Sequence, residues 1–156
     1  MKGDKLVIQH LNKILANELT AINQYFLHSR MYRNWGYKTL AEHEYKESID
    51  EMKHADQLIE RILFLDGLPN LQKLNKLMIG ETPADVIRCD LKLEEIAIPD
   101  LKEAIAHCEK VADYGTRELL EHILESEEEH VDWLETQIGL IAQLGEALYL
   151  QGKVGS

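Results

Sequence analysis

Apolar residues recur at steps of three and four along four long stretches of the chain, the spacing of one face of an α-helix. In the first, about residues 4–35, Leu11, Ile14, Leu15, Glu18, Ile22 and Tyr25 share a face, and Gly36 ends the run. A second runs from about residue 39 to 65. It stops at Asp66-Gly67 with Pro69 beyond, the punctuation of a helix C-terminus. Thr82-Pro83 supplies an N-cap and a first-position proline for a third helix reaching about residue 112. Pro99 lies inside it and cannot donate to the carbonyl of Glu95, which predicts a local kink. The fourth covers about residues 114–144, with Leu120, Ile123, Glu127, His130 or Val131, Leu134, Ile138 and Ile141 on one face. Gly145 closes it, and residues 146–151 read as a short fifth helix.

Four helices of this length each span about 40 Å. Short turns make neighbours antiparallel, while residues 68–81 are long enough to cross the whole length of a bundle. The pattern therefore predicts an all-α protein, a four-helix bundle with one long crossover connection and a short C-terminal fifth helix, residues 1–156 forming a single domain. Leu71, Leu74, Leu77 and Met78 make the crossover apolar enough to lie against the body. No stretch shows strand alternation.

The apolar faces carry polar intruders at regular intervals. Glu51 is followed by His54 and Glu127 by His130, the only two Glu-x-x-His pairs in the chain. Glu18 stands 33 residues before Glu51, and Glu94 stands 33 before Glu127. The two halves are offset by 76 residues throughout. Residues at i and i+3 share a helix face, so each Glu-x-x-His can address one point in space. Four carboxylates buried without cations would cost many kcal/mol. Two divalent metals offset that charge, and the mixed oxygen and nitrogen donors suit iron or manganese, with zinc a further candidate. If Glu51 and Glu127 bridge, each metal keeps one terminal Glu and one His, leaving open positions for oxygen or peroxide. Glu128 and Glu129 sit off the stripe and read as solvated. Glu44 and Glu47 share the face of Glu51 and read either as solvent-facing near a bundle end or as lining an iron path.

Charge narrows the partners. The formal net charge is −11, from 28 acidic and 17 basic residues, which argues against nucleic acid, where a basic patch is needed. The N-terminal MKGDKLVIQHLNK has no long apolar run, so neither a signal peptide nor a membrane span is expected. Cys89 and Cys108 fall in one helix too far apart to pair, and two buried or half-buried thiols point to a reducing compartment, the cytoplasm.

The segments ANELTAINQYFLHSRM, SIDEMKHADQLIERILFLDGLPN and ESEEEHVDWLETQIGLI resemble the bacterioferritin family, and the resemblance covers essentially the whole chain. It implies that Glu18, Glu51, His54, Glu94, Glu127 and His130 form a di-iron ferroxidase centre within each subunit, with two Fe ions per subunit. It implies a hollow 24-subunit cage built from dimers, storing ferric mineral and detoxifying iron. Met52 lies 100° around the helix from Glu51 and points away from that centre. Tyr45, Ile49, Met52 and Ile59 form a second apolar stripe, matched on the first helix by Leu19, Ile22 and Phe26. In the family this is the two-fold interface, where Met52 of each chain ligates haem b, one per subunit pair, and a small ferredoxin passes electrons through the haem to release iron. The soft thioether suits that role, although a lone Met also serves as interface packing.

One departure concerns the cavity wall. Some family members carry a His four residues before Asp50, making an extra iron site; here the position is Lys46, which cannot ligate iron. Tyr25 reads either as an electron donor or ligand partner, or as a core aromatic. His10, His28, His43, His107 and His122 read as surface or cap residues. Competing readings are a di-metal oxidoreductase without a cage, such as a rubrerythrin-like peroxidase or a manganese catalase, and a metal-free helical interaction protein. The absence of any Cys-x-x-Cys pair counts against the rubrerythrin type.

Overall fold

In the computed structural model, which describes residues 1–155, all regular structure is helical. The elements are α1 (Lys5–Trp35), α2 (Lys38–Phe64), α3 (Pro83–Lys110), α4 (Tyr114–Leu144) and α5 (Glu146–Gln151). Side-chain caps start three of the long helices. Asp4 accepts from the Val7 N–H, Thr82 from Asp85 and Asp113 from Thr116, each satisfying an amide that has no partner in the first turn. Gly36 ends α1 at φ 95°, a conformation that favours glycine. α3 continues through Pro99, and both Pro99 and Glu95 lie on an exposed stretch where water can replace the lost hydrogen bond.

The helices pair as two hairpins, α1 with α2 and α3 with α4, and α1 also packs on α3. Two apolar clusters plug the ends. One joins Val7, Leu11 and Leu15 to Leu58, Ile62, Leu101, Cys108, Leu120 and Ile123. The other joins Tyr32 and Leu40 to Val86, Ile87, Leu134 and, from α5, Tyr149 and Leu150. Between them lies a polar layer, buried although it is built from Glu, His, Asp and Gln. No helix among the described residues is long and apolar enough to cross a membrane.

The crossover is held differently from the expectation. Leu71 and Leu74 stay about half exposed, and Met78 packs inward on Ala21, Tyr25 and Leu93. The strap is instead fastened through its backbone by a row of polar side chains on α1. Asn12 accepts from Asn70 N–H and donates to the Leu68 carbonyl. Thr20 accepts from Asn75 N–H, Gln24 from Met78 N–H and His28 from Gly80 N–H. Extended backbone has no internal partners, so a neighbouring element must provide them. Gly80 is required by close approach: a Cβ there would lie 2.4 Å from the Val86 nitrogen.

Thr20→Val tests this fastening. It keeps the shape and leaves the Asn75 amide without its acceptor, which should cost about 1–2 kcal/mol and lower the melting temperature by about 2–8 °C. Hydrogen exchange at the Asn75 amide should accelerate while the amides of the end clusters stay protected.

Candidate metal centre

All four long helices deliver one or two side chains to the middle of the polar layer. Glu18 comes from α1, Glu51 and His54 from α2, Glu94 from α3, and Glu127 and His130 from α4. None is more than 6% exposed. Each reaches the interior because it replaces an apolar residue on a core-facing stripe, between helical turns that are firmly packed on either side.

These six residues come together as two overlapping groups. Glu18, Glu51, His54 and Glu127 place one donor atom each within 4.8 Å of one another, and so do Glu94, Glu127 and His130. His54 Nδ1 lies 3.4 Å from Glu127, 3.5 Å from Glu18 and 3.7 Å from Glu51. His130 Nδ1 lies 3.3 Å from Glu94. Glu127 belongs to both groups, the position of a bridge; Glu51 falls in the first alone.

The donor atoms lack partners. Glu18 Oε2, Glu94 Oε2, both oxygens of Glu127, His54 Nδ1 and His130 Nε2 are buried without a hydrogen bond. So many orphaned acceptors in one dry place is the signature of a site whose partners are cations. Carboxylate oxygens and imidazole nitrogens in this mixture fit iron or manganese, and the residues present can hold two such ions.

Electrostatics agree. Burial and then the nearby Glu18 push the Glu51 carboxyl far above the usual range. Burial and the charges of Glu51, Glu94 and Glu18 do the same to Glu127. Burial would raise Glu94 too, but the adjoining Glu127, His130 and Tyr25 outweigh it and hold the group low. Burial disfavours the charged form of His130, yet Glu94 wins and raises it. Cations must therefore displace protons from Glu51, Glu127 and His130, and binding strengthens as pH rises. The rise in melting temperature produced by saturating Zn(II) is expected to grow as pH goes from about 6 to about 8; a constant rise would contradict it.

Around the six, the structure corrects several expectations. Tyr25 is fully buried and its hydroxyl donates to Glu94, so it hydrogen-bonds a member of the set. His28 is neither a surface nor a cap residue. It is completely buried, with Nδ1 2.8 Å from Asp90 Oδ1. Glu44 does not face solvent; it is buried beside His28 and Asp90, making a third cluster of potential donors. Its stripe position on α2 carried that signal, but Asp90 and His28 stand on other helices and only packing brings them near.

His43 stacks on Trp133 with ring centroids 3.5 Å apart, and Glu47 lies between His43 and His130, 3.7 and 3.8 Å from them. His107 pairs with Asp4 at 2.9 Å, and His122 is exposed as expected. Glu128 and Glu129 are exposed, also as expected. A depression of about 350 Å³, lined by Asp50, Lys53, His54, His122, Glu125 and Glu129 among others, opens at the α2–α4 side of the centre. Both cysteines are free thiols.

Sequence comparison completes the picture. The ferritin-like domain family matches residues 8–144. The chain is 50% identical to the bacterioferritin of Mycobacterium leprae over 149 residues, covering 96% of this chain and 94% of that protein. It is equally similar to the Mycobacterium tuberculosis bacterioferritin, and 48% identical over 151 residues to that of Brucella melitensis, covering 97% of this chain and 94% of that one. With the ferritin-like match over residues 8–144 and near-complete coverage of these relatives, the chain belongs to the ferritin-like family as a bacterioferritin.

Proposed function

We propose that this chain stores and detoxifies iron by oxidising Fe(II) to Fe(III) at a ferroxidase centre formed by Glu18, Glu51, His54, Glu94, Glu127 and His130, within one ferritin-like domain spanning residues 1–156. The observation that carries the reading is the set of orphaned donor atoms on these buried side chains, arranged as two groups that share Glu127. Two Fe(II) ions give up one electron each, so a paired site delivers two electrons to oxygen or peroxide. The protein's part is to hold both ions at fixed separation, neutralise them with four carboxylates and keep the surroundings dry. The acid-lined depression beside His54 is an approach for cations.

The resemblance extends the proposal to a cytoplasmic 24-subunit cage built from dimers, enclosing ferric mineral, without nucleic-acid or membrane partners. Met52 supports the dimer and its haem b. It is 53% exposed on the outward stripe with Phe26 and Tyr45. It borders a groove of about 370 Å³ lined mainly by Leu19, Ile22, Ile59, Leu71 and Leu74. A planar apolar macrocycle fits such a wall, and the residues present suit one haem per subunit pair with Met52 from each side. When bound, the haem supplies a one-electron carrier through which a small ferredoxin reduces stored iron.

Aerobic addition of Fe(II) to metal-free protein tests the whole. Fast oxidation saturating near two irons per chain, followed by slower uptake of many more, is the expected result. Oxidation that stops at two irons keeps the centre and refutes storage. Absence of a fast phase refutes the centre.

A further inference from the structure

A second buried polar cluster lies one helical turn from the metal centre along α3 and two turns along α2, at the end nearer Gly80. It joins His28 and Gln24 of α1, Glu44 of α2 and Asp90 of α3. Asp90 stands four residues before Glu94 and Glu44 seven before Glu51. All four side chains are buried.

The direction of each hydrogen bond can be followed from the backbone. The Gly80 N–H donates to His28 Nε2 at 3.0 Å, so the ring hydrogen sits on Nδ1. Nδ1 lies 2.8 Å from Asp90 Oδ1 and donates to it. The Met78 N–H donates to Gln24 Oε1, which orients the amide so that Nε2 donates to the same Oδ1 at 3.0 Å. Both donors converge on one oxygen of Asp90. The other, Oδ2, is buried without a partner, and so is Glu44 Oε1. One oxygen each of Glu44 and Asp90 and a ring nitrogen of His28 lie within 4.8 Å of one another, with His28 Nδ1 3.6 Å from Glu44 Oε1. In the metal-free protein two adjoining carboxylates in a dry site share one proton rather than both ionising, and a protonated Glu44 supplies the donor that Oδ2 lacks. The tautomer also argues against a cation here: with Nε2 accepting from Gly80, His28 has no lone pair to offer inward.

We propose that Glu44 is a neutral carboxylic acid that donates its proton to Asp90, and that this proton leaves for solvent when divalent cations load the adjoining metal centre. This rests on the metal reading proposed above. Geometry makes the link, because α1, α2 and α3 each carry residues of both layers: Tyr25 and His28, Glu51 and Glu44, Glu94 and Asp90. Burial, Asp90, and the charges of Glu47 and Glu94 hold the proton on Glu44. Burial would raise Asp90 as well, but hydrogen bonds from Glu44, His28 and Gln24 outweigh it and keep that group ionised. The remaining titratable neighbours are Tyr25 and Tyr32 of α1, His43 of α2, Cys89 of α3 and His130 of α4, all of which feel the charge of Asp90. Cations neutralise Glu94 and so remove part of the field that holds the proton. Linkage runs both ways: a site whose loading expels a proton binds cations more tightly once that proton is gone.

The test compares wild type with Glu44→Gln, in which an amide N–H replaces the acid O–H toward Asp90 and the fold should be kept, as thermal melting will check. Infrared spectra of the metal-free proteins should show a carboxylic-acid C=O band in wild type that is reduced in Glu44→Gln. Zn(II) titration with a pH indicator should bring two equivalents to both proteins, with wild type releasing up to one more proton per chain. Identical acid bands, or identical proton counts with two zinc ions bound, would overturn the proposal. A third zinc equivalent present only in wild type would also overturn it, by making the cluster a cation site. If neither protein binds zinc the metal reading itself fails, and the infrared comparison alone decides whether Glu44 is neutral.

Discussion

Glu127→Gln is expected to abolish fast Fe(II) oxidation while making the metal-free protein more stable. Glu127 belongs to both donor groups, and neither of its oxygens has another partner. The amide keeps the volume but loses the charge and a donor oxygen, so each cation loses a ligand. Disturbing even an outer-shell partner typically costs ten- to hundredfold in metal affinity, so loss of a shared ligand should cost at least ~100-fold. The stability effect has the opposite sign. Burial and the neighbouring Glu51, Glu94 and Glu18 hold the Glu127 carboxyl well above its usual range. A group raised in this way contributes stability that is present below its unfolded pKa and lost as pH rises through the folded one. Gln removes that loss, and its amide can donate to the neighbouring Glu94. The metal-free variant should therefore melt about 2–4 °C higher at alkaline pH, with a smaller difference under acid conditions. Saturating metal should reverse the order, because only wild type gains the full binding energy. Calorimetry with and without Zn(II), beside stopped-flow Fe(II) oxidation, reads both effects. A variant that oxidises iron at the wild-type rate would remove the metal centre from the account.

Met52→Leu should eliminate haem binding and leave Fe(II) oxidation unchanged. Leu keeps the apolar volume of the groove, so contacts along the exposed stripe survive. What disappears is the soft thioether, and none of the leucines and isoleucines around it can ligate iron. Met52 points away from the centre that Glu51 enters, so the two functions should separate in one variant. The haem absorption band of the reconstituted protein should fall to background, and release of stored iron by a reduced ferredoxin should slow by at least ~10-fold. Haem retained at wild-type occupancy would return Met52 to interface packing.

The helical architecture was legible because the apolar period holds over long runs and Gly36, Gly67, Thr82-Pro83 and Gly145 punctuate it. Glu18, Glu51, His54, Glu94, Glu127 and His130 were legible for a related reason: they interrupt that period at repeated offsets, and all six are buried. His28 and Glu44 were not. On one helix a polar residue beside the apolar stripe looks the same whether water or another polar group faces it. Asp90, which makes their burial tolerable, stands 62 residues beyond His28. Asn12, Thr20 and Gln24 escaped notice likewise, because the strap that uses them is recognised by its backbone, which leaves no pattern in side-chain identity.

By itself, then, the sequence determined the number and length of the helices, their order, the long crossover and the side chains that enter the centre. Those follow from interactions along single helices and from a spacing that repeats. The tertiary structure alone decided how the crossover is fastened, that Glu127 lies between two donor groups, and that Glu44, Asp90 and His28 share a dry pocket. These depend on distances between helices, which no local periodicity encodes and which the packing of the two apolar end clusters sets.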